Sequence, residues 1–494
     1  MERRINGSIA LRAGGKAPSP CQQDDNSQDG QIKNYPGIYL PQDILSHIHS
    51  LMPMREAARV ACVSRAFVRS WRCHPNLTFT KETLCLNENA HGKDEMDFTS
   101  IVDCILKKHS GVGVKTLHLH VFPDRNNKDC CHLYHLDIWL QIAVTPGIQE
   151  LILKAYSVNT KYNFPCSVLS DGTVDSLRYF FLAYCDFHPT TRLGLKSLTR
   201  LDLHSVCITD GELACLLSNS FALEQLKLSS CSEIMCLKIP CLKRLICLEV
   251  FSCTRLQVIE GEAPNLSSFC VSGELQVSLG ETLRIEKLSW SCCPNGTFYA
   301  RTELPSRMPN LRTLMIHSNR ELVNTPMMPS KFLHLKLLLI GLGCDIDYFS
   351  LVSFLDASPS LEDFTLMVVF RFKEPKSIFV DRSDLRKMPE HRYDKLKNVE
   401  IINFTSERTL VELACQILES ATSLECLTVD ATLELRCRCS VNKSVHCRCL
   451  TDRRTLEEAR RALVAAETYI KPKIPHTVEF KAVEPCRRCN AVDP

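Results

Sequence analysis

The side chains best able to hold a metal or change redox state gather near the end of the chain. "CRCSVNKSVHCRC" carries Cys437, Cys439, His446, Cys447 and Cys449, and "CRRC" carries Cys486 and Cys489. Two C-x-C pairs and one C-x-x-C would close a tetrahedral thiolate zinc site if the strand bearing Cys489 returned to the loop. C-x-C is the poorer zinc clamp, and the interleaved arginines would lower the thiol pKa values. The plainer reading is an exposed loop of reduced thiols, so no metal and no cofactor are expected, zinc or a redox response being the alternative. A second cluster, "CCHLYH" (Cys130, Cys131, His132, His135), lacks a second ligand pair at usual spacing and reads as part of a loop. Phosphate-loop, dinucleotide, nucleophile-elbow and H-E-x-x-H motifs are all missing from the sequence, which predicts a non-catalytic protein.

Composition narrows the class further. The 494 residues are 45% hydrophobic and 23% charged, with 28 cysteines and a net charge of +3. That balance gives no electrostatic case for nucleic acid. No apolar run reaches the ~18 residues that a membrane span requires, and no apolar core follows Arg3 and Arg4 before Pro18, so no secretory signal is read. Most cysteines sit singly in apolar segments, as small buried hydrophobes do. The expected setting is therefore reducing, the nucleus or the cytoplasm.

What must position any functional residue is a repeat. L-x-x-L-x-L with relaxed apolar identity recurs thirteen times, from Val114-Leu117-Leu119 and Ile148-Leu151-Leu153 through to Leu396-Val399-Ile401 and Leu424-Leu427-Val429. Start-to-start spacing runs from 19 to 35 residues, the period of leucine-rich repeats. The x-L-x-L portion alternates as a strand with one face inward. Cys185, Cys231, Cys253, Cys293 and Asn319 follow the last apolar residue of their units, at a position that turns inward and bonds the neighbouring coil. The variable period predicts a solenoid with outer segments of uneven length. Such arrays need caps. At the C-terminal end, "TDRRTLEEARRALVAAETYI" places Leu456, Ala459, Leu463, Ala466 and Ile470 on one helical face, with Thr455 and Glu458 as a capping box. "TVEFKAV" then alternates as a closing strand.

Ahead of the repeats, residues 1–36 are rich in Gly, Pro, Ser, Asp and Gln, and are expected to be disordered. In residues 37–80, Pro41 suits a helix entry, and Ile44, Leu45, Ile48 and Leu51 share one face. Pro53 breaks that helix, "REAARVACV" forms a second, and Ser64 caps a third that holds Phe67, Val68 and Trp71. Three short helices in about 35 residues are too few for a core of their own, and another polypeptide is the remaining way to cover the apolar face.

This stretch, "LPQDILSHI…MPMREAARVACVSRAFVRSW", resembles an F-box: an L-P opening, an apolar helix, then an A-x-V-x-C-V-S-R tail ending in Trp. With the repeats behind it and "ALVAAETYIKPKIPHTVEFKAVEPCRRC" at the end, the chain resembles plant F-box/leucine-rich-repeat proteins with an FBD-type C-terminal region. The resemblance implies an α/β fold: residues 1–36 a tail, 37–80 the F-box, 100–435 the solenoid, and 436–494 a Cys-rich loop with a helix–strand cap. It implies that Leu40, Pro41, Ile44, Leu45, Ile48, Leu51, Pro53 and Val60 face a Skp-family adaptor and, through it, a cullin. Five or six such side chains at about 1.5–3 kcal/mol each give roughly 10 kcal/mol gross, much of which association entropy removes. The implied function is the substrate-recognition subunit of an SCF-type ubiquitin ligase, with no nucleic-acid or membrane partner. The alternatives are a repeat scaffold outside any ligase and a zinc- or redox-responsive binding protein. The target protein would meet outward residues of the strands, with His118, His120, Asp202, His204, Lys227, Glu249 and His317 foremost, and Lys154, Ser289, Glu400 and Thr428 beside them.

Overall fold

All thirteen repeat units lie on strands of one parallel sheet, and that sheet has fifteen strands. The computed structural model describes residues 41–485 except 64, 87–97, 111–112, 123–130, 157–160, 170–174, 191–192, 281–283, 292–293, 319, 344–345, 370–375, 381–383, 389–390 and 433–452. The fold is the α/β leucine-rich-repeat solenoid that the sequence predicts. Corresponding positions stand side by side: Leu117 beside Leu151, Phe180, Leu201, Leu226 and Leu248 in turn. Of the 39 apolar positions in the thirteen units, 38 are buried, Trp290 being the exception. No coil could bury this face alone, so each strand borrows its neighbours' leucines.

The coils turn in a shared way. Tyr184, Ser205, Ser230, Ser252 and Asn403 take positive φ just beyond their strands. The turn aims the next residue inward: Cys185, Cys231 and Cys253 are buried, and the Cys231 thiol donates to the Leu203 carbonyl of the neighbouring coil at 3.6 Å. Cys293 and Asn319 lie outside the described residues.

Outer segments vary, as the uneven period requires. Helices such as Asp210–Ser218 and Arg408–Ser420 serve some coils, and a small parallel sheet of Cys236–Ile239, Val258–Gly261 and Gln276–Ser278 serves others. Two buried charges tie coils together. Arg301, 1% exposed, donates to the carbonyls of Ser353 and Ser330 at 3.0 and 2.8 Å and also to that of Met328. Glu412 lies buried on Arg408–Ser420 and accepts from Arg386 at 2.7 Å and Arg408 at 2.9 Å.

At the N-terminal end, α1 (Gln42–Ser50), α2 (Met54–Val63) and α3 (Arg65–Arg72) precede the sheet. The first strand, Asn76–Phe79, pairs with Thr116–Val121, so the sheet begins ahead of residue 100. Its inward lead is His74 where other units have Leu, Ile or Val. His74 is fully buried, stacks on Trp71 and contacts the ring of His49. Neither of its ring nitrogens meets a partner among the described residues. Burial first, then His49 and His109, lower its pKa to about 4.

At the other end, the last strand, Glu479–Val483, closes on Cys426–Asp430. Of the expected face, Ala459 on the preceding helix Arg453–Ala465 and Ala466 and Ile470 just beyond it are buried and Leu456 and Leu463 half-buried, with Ala462 and Ala465 buried beside them. Small side chains allow a close approach that leucines would block. Glu458 is no capping-box partner. It is buried, accepts from the Ser406 backbone N–H at 2.7 Å and pairs with Arg461 at 3.2 Å. The expected tail of residues 1–36 and the Ser64 cap lie outside the described residues.

Two outcomes follow. Arg301→Ala leaves buried carbonyls unpaired and should destabilise by about 3 kcal/mol or more in denaturant melts, with no rescue by Arg301→Lys, whose single ammonium cannot fork to three carbonyls. His74, with its folded pKa below the unfolded value of about 6.5, stabilises the fold above that pH. Its contribution is lost as pH falls from about 6.5 towards 4, and His74→Leu should make the melting temperature fall less steeply over that window.

Candidate functional site

Two surfaces carry the residues singled out from sequence. The first is the outer side of the opening helices. α1 exposes Ile44, Ile48 and Leu51 at 42%, 36% and 73%, spaced i, i+4 and i+7 as a single stripe. Pro41 and Pro53 are exposed, and Leu45 and Val60 are half-buried. Leu40 lies outside the described residues. The opposite side of the trio holds it to the sheet: Met54 and Ala57 are buried, His49 bonds the Ala57 carbonyl at 2.8 Å, and Asn76 donates to the Ser50 carbonyl at 3.1 Å. Val63 and Val68 on α2 and α3 are exposed too. The helices are thus anchored on one side and apolar on the other.

The second surface is the solvent-facing side of the long sheet. His118, Asp202, Lys227 and Glu249 fall in one cross-strand row, with Ile152 and Phe181 between the first two. A second row carries His120, Lys154, Ala183 and His204. His317 belongs to the same row farther along, beside Gly341. The rows are not uniformly open. Asp202 is 4% exposed, and accepts from Arg200 at 2.7 Å and from the Tyr179 hydroxyl at 3.0 Å. Lys227 and Glu249 pair at 2.8 Å, and His118 reaches Glu150 at 3.6 Å. His120 is held at a pKa of about 4 by burial, then by Lys154 and His118. Burial also lowers the pKa of His204, with Lys154 and Lys227 adding to it, and that of His317. These histidines therefore face a neutral-pH partner uncharged.

Sequence reasoning missed an aromatic run at the strand ends. Phe122 stacks on Tyr156 at 5.2 Å, Tyr156 on Tyr184 at 3.9 Å, and Tyr184 meets His204 edge-on at 5.1 Å with a 3.0 Å hydroxyl–imidazole bond. Lys81 lies over Phe122 and Lys154 over Phe181, 5.0 and 5.5 Å from the ring centroids. The signal was the dipeptide Ala-Tyr ending two successive strands, Ala155-Tyr156 and Ala183-Tyr184. The run gives this face a flat apolar platform edged by cations.

A profile of the At1g61320/AtMIF1 LRR domain matches residues 105–487. The chain belongs to that family. It is 26% identical over 212 residues to the F-box/FBD/LRR-repeat protein At3g26920 of Arabidopsis thaliana, covering 42% of this chain and 45% of that one. It is 24% identical over 233 residues to the Arabidopsis F-box/LRR-repeat protein At3g03360, covering 46% and 45%. With the FBD-associated F-box protein At3g52670 it shares 28% over 173 residues, 35% and 38%. The chain thus spans under half the length of these curated relatives. They support a plant F-box/LRR protein. The profile starts at residue 105, so the opening helices rest on their own geometry.

The cysteine clusters fall almost wholly outside the described residues. Cys437, Cys439, His446, Cys447, Cys449, Cys486, Cys489 and Cys130 lie outside the described residues, as do the side chains of Cys131 and His132. Residues 131–135 open the helix Cys131–Ala143 rather than lying in the expected loop, and His135 approaches Asp103 at 3.5 Å. Among the described residues no group of three or more His, Cys, Asp or Glu could hold a metal, and no helix is long and apolar enough to cross a membrane.

The geometry separates supporting residues from presented ones. Asp202→Ala should cost about 1–3 kcal/mol in denaturant melts, because it strips two partners from a buried carboxylate's site. Lys227→Ala should stay within about 1 kcal/mol, as exposed ion pairs do.

Proposed function

We propose that this chain is the substrate-recognition subunit of an SCF-type cullin–RING ubiquitin ligase, acting in the nucleus or cytoplasm. One observation carries the reading. Three aliphatic side chains, Ile44, Ile48 and Leu51, form an exposed stripe on a helix whose other side is already anchored. A trio this small does not leave such a stripe in water without a partner to cover it. A Skp-family adaptor is the partner that the F-box resemblance implies, with Pro41, Leu45, Pro53 and Val60 at the margins of the contact. The printed names of the Arabidopsis relatives support the F-box part.

The sheet face would hold the target, with the neutral histidines and the Phe122–Tyr156–Tyr184 platform as contacts. Catalysis would be positional: the target's lysines are held near a ubiquitin-charged enzyme, and the gain comes from effective concentration and orientation. No side chain of this chain need react.

Co-purification tests the reading. The wild-type chain, expressed with a plant Skp-family adaptor, should capture it. Ile44→Asp with Ile48→Asp should abolish capture, by a factor of at least about a hundred if each change costs some 1.5 kcal/mol, and leave the melting temperature within a few degrees. Capture that survives the double change would overturn the interface, and a wild-type chain that never captures the adaptor would overturn the function.

A further inference from the structure

Where the outer arc passes from the small sheet back to helices, the described residues leave a hollow seam. Before it, the outer arc is the small sheet ending at Gln276–Ser278; after it, the outer arc is the helices Gly296–Thr302 and Leu304–Arg307. The coil on the near side is the shorter: 19 residues separate Ser268 from Lys287, and 26 separate Lys287 from Thr313. A short coil encloses less core than its taller neighbour, so although their strands pair, a gap is left beside them. Between them lies a cavity of about 620 Å³, lined among others by Phe269, Leu275, Val277, Trp290, Tyr299 and Met308.

Two irregularities of the fold converge on this cavity. Trp290, the one repeat position not fully buried, shares its row with Val271 and Ile316, which are. Val277 lies in register with Ile259, and Ile259 with Leu237; those two are buried, while Val277 is half-exposed. Among the described residues, each is less covered than its equivalents. The volume falls within the 300–1,000 Å³ typical of small-molecule sites.

We propose that this seam is a binding site for a neutral, largely apolar ring compound with one uncharged hydrogen-bonding end. The Trp290 indole and Tyr299 ring stand edge-to-face at 5.2 Å and offer aromatic walls. The Trp290 N–H is already donated to the Gly273 carbonyl at 2.9 Å, which fixes the ring. Besides the two rings, the polar lining residues are Gln276, Ser278 and Arg307, all three exposed and so at the solvent margin. Arg307 pairs with Glu303 at 3.2 Å, so the margin carries no surplus positive charge and favours an uncharged end over a carboxylate. Gln276–Ser278 is also the last strand of its sheet, and its edge amides and carbonyls face the seam as further partners.

N-phenyl-1-naphthylamine, a neutral aromatic fluorophore, is the probe. Titrated into the full chain it should bind saturably at one site, with energy transfer from tryptophan. Val277→Phe fills the space from a half-exposed position and should weaken binding at least tenfold with the melting temperature retained. Trp290→Phe keeps the lining apolar, so binding by direct excitation should persist while most energy transfer disappears. The anionic analogue 1-anilinonaphthalene-8-sulfonate should bind at least tenfold more weakly. Absence of saturable binding would overturn the site. So would full energy transfer in Trp290→Phe, or equal affinity of the anionic analogue, and these two readouts stand even if Val277→Phe fails to fold.

Discussion

Lateral stacking of inward side chains between parallel strands is the constraint on which this molecule rests. A single coil exposes one apolar face on each side, and only the next coil can cover it. Thus Leu201 is buried because Phe180 and Leu226 flank it, and the same holds along the sheet. The arrangement has two ends that cannot be satisfied in this way. At the far end, Glu479–Val483 returns after the helix Arg453–Ala465 to pair with Cys426–Asp430. At the near end the opening helices lie against Asn76–Phe79 through Met54, Asn76 and the histidine cluster. The same helices therefore cap the array and present an apolar stripe outward, so the proposed adaptor contact would be built onto a structural necessity.

The outward side of the sheet is freed by the inward side. Because burial is settled by alternate residues, those between them are left to recognition. Not all of them are spent that way. Asp202 serves Arg200 and Tyr179, and Glu249 serves Lys227. Local electrostatics, rather than position alone, decides which groups are left to meet a partner.

The strands were legible because leucine at alternate sites leaves little ambiguity. Asn76–Phe79 escaped because it is four residues long and led by His74, a residue that no leucine count includes. On Arg453–Ala465 the expected face holds at Ala459, and the further burial of Ala462 and Ala465 goes unread where leucine is weighted above alanine. Glu458 fitted a local cap in sequence, and its actual partner, the Ser406 amide, is 52 positions away. The stripe on α1 was readable from spacing. The aromatic run was not, since Phe122 lies three residues beyond Leu119 while Tyr184 lies two beyond Leu182. The hollow seam has no sequence signature, because it arises from a mismatch between neighbouring coils.

Nearest-neighbour contacts alone would let such an array fray coil by coil, like a stack of coins. Arg301 works against that picture. It grips main-chain oxygens at Met328, Ser330 and Ser353, in the coils that follow its own. Strain applied at one of these coils is passed to the others without crossing the sheet. The stretch from Gly296 to Ala357 should accordingly open as one block, with a mechanical breakpoint on its N-terminal flank, where the outer arc changes from strand to helix.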